Sequence, residues 1–253
     1  MDTSTTAFYD AIAEFYPLFY KDWEVQLERE GLTLRSIFRN KGVQDVLDVG
    51  CGPGTQSIPL AKLGFNVIGV DPSPELLKKA YETAAGHNVD ITWLRGDFLS
   101  LDSLIDEPVD AIICKGNSLP HLLTDEDIEH TIHTFYELLR PGGLVVIGLR
   151  DFEMMLEHRP RFLPGLDHTD DDGNEFITFD IWEWEEGPPI IATQNLFMIQ
   201  GRGRTYDTIK RTVHFRPLST DELQVVLLEQ NFEDIEQSSD RWEQLIIARK
   251  PLS

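Results

Sequence analysis

Residues 46–54 read VLDVGCGPG, an apolar run around Asp48 followed by glycines at 50, 52 and 54, with Cys51 and Pro53 between them. The run before Gly50 has the composition of a buried strand, and SIPLAKLG after the loop has helical spacing. Glycines between a strand and a helix let the backbone turn tightly and come close to a ligand. No Lys-Ser or Lys-Thr pair follows, so a phosphate-binding P-loop is excluded. The spacing is Gly-x-Gly-x-Gly, where a dinucleotide fingerprint needs Gly-x-Gly-x-x-Gly, and Asp48 is unexpected in front of a pyrophosphate site.

Outward from this loop the pattern alternates. VLDVG (46–50), NVIGV (66–70), ITWLR (91–95), VDAIIC (109–114) and LVVIGL (144–149) read as strands, and most are apolar throughout, as strands covered on both faces must be. SPELLKKAYETAAG and DEDIEHTIHTFYELLRPGG read as helices. The second has Thr124 as N-cap, Asp127 at the third helical position and Pro-Gly-Gly as terminator. A βαβ series of this kind predicts a doubly wound parallel sheet in an α/β fold. Residues 1–44 read as helical, with Phe8, Ile12, Phe15, Phe19 and Trp23 on a packing stripe. Residues 151–217 break the alternation: Pro160, Pro164, Gly165 and an acidic loop precede three antiparallel strands, FITFDIWEWEE, PPIIATQNLFMIQ and TYDTIKRTVHF. A capped helix, STDELQVVLLEQ, and a strand, DRWEQLIIARK, complete 218–253. One domain with an elaborated cap over residues 1–253 is the expected organisation.

The formal net charge of -22 and pI near 4.5 argue against nucleic-acid binding, which needs a basic face. Acids cluster at 167-DHTDDDGNE-175 and 183-EWEE-186, and so strong a charge is compatible with a salt-rich cytoplasm as well as with an acidic mesophilic enzyme. No apolar run is long enough for a membrane span and the N-terminus lacks signal-peptide character, so a cytoplasmic location is the expectation. Cys51 and Cys114 end buried strands and are expected to be reduced thiols. His158 and His168 lack a metal-ligand spacing, and no metal is expected. Nothing in the chain indicates an oligomeric state.

VLDVGCGPG resembles the first motif of class I S-adenosylmethionine-dependent methyltransferases, whose fold is a Rossmann-like, mostly parallel seven-stranded sheet. The resemblance implies that Gly50, Cys51, Gly52 and Gly54 wrap the amino-acid part of S-adenosylmethionine, with Asp48 tolerated near its ammonium group. It implies that Asp71, with Pro72 beside it, accepts both ribose hydroxyls, that Asp97 bonds the adenine amino group, and that Phe98 lies beside the base. Asp71 also suits a helix N-cap in Asp-Pro-Ser-Pro, Asp97 a turn, and Phe98 ordinary core.

The fourth strand runs into 112-IICKGNSLPH-121, which is similar to the Leu-Gly-Asn-Ser segment of glycine and sarcosine N-methyltransferases. There a basic residue ending the fifth strand pairs with the acceptor's carboxylate, a position held here by Arg150. FYDAIAEFYPLFY resembles the tyrosine-bearing segment that folds over the cofactor, with Tyr20 a candidate catalytic residue. Asn117 is expected to fix the acceptor's carboxylate or amine, and Lys115 and His121 to contact the cofactor, although His121 also suits helix packing and Arg150 a salt bridge with Asp151 or Glu153. A guanidinium serves carboxylate capture better than an ammonium because its fork is bidentate. Phe176, Phe179, Trp182, Trp184, Phe197 and Phe215 form either an aromatic box for a methylated ammonium or packing. Expected partners are a small-molecule methyl acceptor and neither nucleic acid nor membrane. The alternatives are another small acid or hydroxyl acceptor, or a non-catalytic S-adenosylmethionine-binding protein.

Overall fold

The computed structural model describes residues 3–169, 172–240 and 243–252. The expected parallel series is present: β1 (Asp45–Val49), β2 (Asn66–Asp71), β3 (Thr92–Arg95), β4 (Val109–Cys114) and β5 (Leu139–Arg150) pair in parallel. Side chains on these strands alternate between two cores. Leu47, Ile112 and Val145 enter one with Phe98, Phe135 and Leu223, while Val46, Ala111 and Val146 enter the other with Leu27, Leu34 and Ile58. A sheet buried on both faces explains why its strands read as unbroken apolar runs.

Four further strands, β6 (Phe162–Thr169), β7 (Glu175–Glu185), β8 (Ile191–Arg202) and β9 (Thr205–Phe215), form a separate antiparallel sheet in chain order. β10 (Glu233–Asp240) and β11 (Glu243–Arg249) then complete the main sheet, giving seven strands in the order β10-β11-β5-β4-β1-β2-β3. Arg241 and Trp242 of the expected last strand, and Asp170 and Asp171 of the acidic loop, lie outside the described residues. The strand order reverses at β1 and β4, and open α/β sheets bind ligands at the carboxyl ends flanking such a switch.

Local signals hold in several places. Thr124 accepts from the Asp127 amide at 3.1 Å and Ser73 from the Leu76 amide at 3.1 Å, so Ser73 rather than Asp71 caps the helix Pro74–His87. The N-terminal stripe divides: Phe8 and Ile12 pack under the cap sheet, whereas Trp23 packs against the main-sheet core.

Two expectations are corrected. Pro-Gly-Gly does not lie outside the fifth strand, because Leu139 already pairs with Val109 and the chain makes an irregular excursion before Leu144 meets Ala111. The stretch with Pro164 and Gly165 is not a loop but the edge strand β6, where a missing amide donor is tolerated. A Cβ on Gly165 would lie 2.2 Å from Thr178 Oγ1, the oxygen that accepts from the Leu166 amide at 2.9 Å, so glycine is what lets this bulged edge close on β7.

Candidate active site

The glycine loop is tied to the neighbouring strand, for the Gly50 and Cys51 amides both donate to Val70 O, at 2.8 and 3.1 Å. Gly50 has φ +72°, and a Cβ there would stand 2.7 Å from Ser118 Oγ on the loop after β4. The two strand ends at the switch point therefore touch. Asp71 closes the loop by accepting from the Gly52 amide at 2.8 Å and the Ser73 amide at 2.9 Å. Burial pushes its carboxyl up to about 6 against the pull of those two amides. A carboxylate has about four acceptor sites, so two remain for a ligand's hydroxyls.

Asp48 lies within β1, where its carboxylate accepts from Ser57 Oγ at 2.5 Å, and it does not line the pocket beside the loop. This bond anchors the helix that follows the loop. Burial raises its carboxyl from 3.8 to about 7, the Ser57 hydrogen bond opposing. A group whose folded pKa is raised contributes stability that is complete below its unfolded value and lost as pH rises through the folded one. Asp48→Asn keeps an acceptor for Ser57 and is therefore expected to stabilise the protein at pH 8 by on the order of 2 kcal/mol while changing little near pH 4. Denaturant melts across that range check it, and a difference independent of pH would refute it.

The pocket lies between the loop and the N-terminal segment, which contributes Tyr9, Tyr16 and Tyr20. Gly50, Cys51, Gly52 and Asp71 line its other side, and burial raises the Cys51 thiol far out of reach of ionisation. Tyr16 and Tyr20 share a hydrogen bond, and burial lifts Tyr16 to about 12, so these phenols stay neutral. His121 is held on both nitrogens. Its Nδ1 donates to His214 O at 3.2 Å, which leaves Nε2 to accept from the Tyr9 hydroxyl at 2.7 Å. Burial lowers its pKa to about 4, so the ring is neutral and has no donor left for a ligand carboxylate. Its part is to hold Tyr9 in the pocket wall.

Pro72 lines this pocket and also a second, open groove formed with Thr6, Asp10, Arg95, Gly96 and Asp97. Asp97 caps a short 3-10 turn, accepting from the Leu99 amide at 3.1 Å. Phe98 faces inward against Phe135, with ring centroids 6.5 Å apart, and lines neither space. The structure thus brings Asp71, Pro72 and Asp97 along one crevice and leaves Phe98 in the core.

The loop after β4 is a device for fixing two strand ends. Lys115 Nζ, fully buried, bonds Glu30 at 2.6 Å and Glu243 at 2.9 Å. Burial opposes its charge, but the two carboxylates override that and hold its pKa above the ordinary lysine value. Its ammonium is engaged inside the protein, while Lys115 itself lines the pocket beside the glycine loop. Glu243 also accepts from the Gly116 amide at 2.7 Å. Asn117, with φ +66°, donates its amide to Gly148 O and accepts from the Arg150 amide at 2.9 Å through Oδ1. Its side-chain oxygen therefore fixes the backbone at Arg150.

Arg150 points to the cap, its guanidinium 5.1 Å from the centroid of the buried Trp182 ring. Burial lowers its pKa from 12.5, partly offset by Asp180. No salt bridge joins it to Asp151 or Glu153 among the described residues. The aromatic set divides by strand parity: Phe176 and Trp182 are buried on the inner face of β7, while Phe179 stacks on Phe197 at 4.8 Å on the outer face. One box cannot be built from both faces, and the ring of Trp182 already serves the Arg150 cation.

Comparison with known proteins assigns the loop and the strands around it. Residues 46–143 match the family model described as a methyltransferase domain. This segment is a methyltransferase domain. The glycine/sarcosine N-methyltransferase of Aphanothece halophytica is 33% identical over 136 residues, 54% of this chain and 51% of that protein. That of Halorhodospira halochloris is 34% identical over 144 residues, again 54% of this chain and 51% of the relative. The chain spans about half the length of the curated relatives it matches. A S-adenosylmethionine-dependent methyltransferase from Clostridium acetobutylicum superposes with a TM-score of 0.75 over 96% of this chain and 99% of its own, at 16% identity, a likeness of fold.

Several residues that shape the site lie outside the methyltransferase domain segment. Glu30, Arg150, Asp180 and Glu243 come from the helix Trp23–Phe38, the end of β5, the cap and β11. Sequence reading found Arg150 from its place at a strand end and missed the other three. One signal for Glu243 was available: Gly148 interrupts an apolar strand, and such a glycine marks a close approach.

Proposed function

We propose that the protein transfers a methyl group from S-adenosylmethionine to the amine of a small amino acid, glycine, sarcosine or dimethylglycine. The observation that carries this reading is Arg150 at the end of β5, half-buried, its main-chain amide held by Asn117 and its guanidinium resting on Trp182, paired with no carboxylate of the chain among the described residues. Such a group suits bidentate capture of a small carboxylate. The similarity to proteins named glycine/sarcosine N-methyltransferases over half the chain supports the acceptor class.

When bound, S-adenosylmethionine supplies a methyl group on a positively charged sulfur. The crevice fits such a ligand: glycines at positive φ open the loop, buried Asp71 keeps acceptor capacity, and three phenols close the far wall. The chain's work is then to hold the two reactants in line and to exclude water, since methyl transfer gains chiefly from positioning. Tyr20 and Tyr16 offer neutral hydroxyls over the pocket, and Arg150 orients the acceptor.

Calorimetry with S-adenosylmethionine and a methyl-transfer screen over glycine, sarcosine, dimethylglycine and unrelated acceptors test this function. Asp71→Ala is expected to weaken cofactor binding by about 1 to 3 kcal/mol, the size of lost charged hydrogen bonds. Unchanged affinity would remove Asp71 from the site, and turnover confined to acceptors without a carboxylate would overturn the acceptor assignment.

A further inference from the structure

Two opposite charges stand near Trp182 of the cap sheet without bonding to each other among the described residues. Asp180 and Trp182 are two positions apart on β7 and so share its inner face, which packs toward the N-terminal segment: Phe15 and Phe19 lie 6.3 and 6.0 Å from Phe176 of that face. Trp182 carries the Arg150 guanidinium on its ring, and its own Nε1 is buried with no hydrogen-bond partner among the described residues. Among the described residues Asp180 has one hydrogen bond, accepting from Gln194 Nε2 at 2.7 Å. Arg150 and Asp180 feel each other's charge, yet no ion pair joins them among the described residues. Tyr9, in the wall of the cofactor pocket, packs against the same core cluster as Trp182, so this face of the cap adjoins that pocket.

Charges withdrawn from water and kept apart are costly, and the one hydrogen-bond partner of Asp180 among the described residues is a neutral amide. A ligand bearing one positive and one negative group would satisfy both at once. An amino acid is such a ligand, and its chemistry leaves one requirement unmet by the residues described so far. At neutral pH its nitrogen is an ammonium with no lone pair, so a proton must leave before methyl transfer.

We propose that Asp180 receives the ammonium group of a zwitterionic acceptor and takes up that proton, while Arg150 holds the acceptor's carboxylate. The assignment rests on the function proposed above. In the step, an N–H bond of the ammonium breaks and its proton passes to a carboxylate oxygen of Asp180. The freed electron pair forms the N–C bond to the methyl carbon as the C–S bond breaks, its pair passing to sulfur, and the proton later leaves Asp180 for solvent. Burial holds the Asp180 carboxyl above its usual range, against the pull of Gln194 and Arg150, which brings it nearer the amine as a base. Arg150 is the charged group acting on it among the described residues, Gln194 being neutral, and the phenols of Tyr9 and Tyr16 ionise far higher.

Asp180→Asn keeps the shape and an acceptor for Gln194 but cannot take a proton. With sarcosine its kcat/KM is expected to fall by about 100-fold or more, the scale of lost general-base catalysis. The limb of the parent's pH profile set by this carboxyl is expected to vanish. Acetate, which has the carboxylate alone, is expected to compete as well as in the parent, and S-adenosylmethionine affinity by calorimetry to stay unchanged. Asp180→Ser repeats the comparison if the amide variant does not fold. A pH profile and kcat/KM equal to the parent's would overturn the assignment, as would loss of acetate binding in step with sarcosine, which would mean that Asp180 merely supports Arg150. A parent that methylates no amino acid would instead remove the proposed function, and the assignment with it.

Discussion

Arg150→Ala is expected to raise the KM for sarcosine or glycine on the order of a hundredfold or more, the scale of losing a buried charge-assisted pair of about 3 kcal/mol, with S-adenosylmethionine affinity nearly unchanged. The split follows from placement. Arg150 stands on the cap side, over Trp182, and is absent from the wall of the pocket formed by the glycine loop and Asp71. Arg150→Lys keeps the charge but loses the planar fork and much of the stacking, so it should recover only part of the loss. Steady-state kinetics with each substrate varied in turn separates the two effects. Full activity of Arg150→Ala on every acceptor the parent accepts would remove the carboxylate clamp.

Gly148→Ala, one methyl group in the middle of β5, is expected to destabilise the protein by about 3 kcal/mol, because overpacking here also breaks a buried ion cluster. The new Cβ would lie 1.9 Å from Glu243 Oε1 and 2.3 Å from its Cδ, so the glutamate must withdraw. Withdrawal opens its 2.9 Å contact with Lys115 and its 2.7 Å bond to the Gly116 amide, and leaves Lys115 to Glu30 alone. If the clash with Glu243 is the cause, the same substitution in a Glu243→Ala background should cost little. Urea denaturation of the four proteins of this cycle measures the coupling directly. Equal costs in both backgrounds would show that Gly148 matters for another reason.

What could be read from the chain was what local rules encode. The glycine loop, Asp71 at the next strand end and the Thr124 cap each declare themselves within a few residues, and the alternation of short apolar runs with amphipathic helices yields the doubly wound sheet. The charged cluster around Lys115 does not. Glu30 and Glu243 reach it across 85 and 128 positions of sequence, and as isolated glutamates on otherwise ordinary segments they carry no mark of burial. His121 was visible as a residue at a strand end, but its neutrality comes from burial beneath the cap and the N-terminal segment, which also supply its partners His214 and Tyr9. The aromatic cap was partly legible and read too broadly: an alternation of two separates Phe179 from Phe176 and Trp182, so a single box of all six rings was excluded by strand geometry. β6 was hidden because Pro164 and Gly165 mimic a loop, and only an edge position makes them acceptable.

The cap sheet is also a contiguous excursion. All four of its strands, from Phe162 to Phe215, leave and re-enter the chain between β5 and the helix Thr220–Glu229, and none pairs with a strand of the main sheet. On the function proposed above, substrate choice and cofactor handling fall in different stretches of one gene, joined at the seam where Arg150 meets Trp182. A cassette exchange of residues 151–217 between chains of this architecture is a route to new acceptors that leaves the glycine loop untouched, provided that the residue at the end of β5 travels with the ring it rests upon.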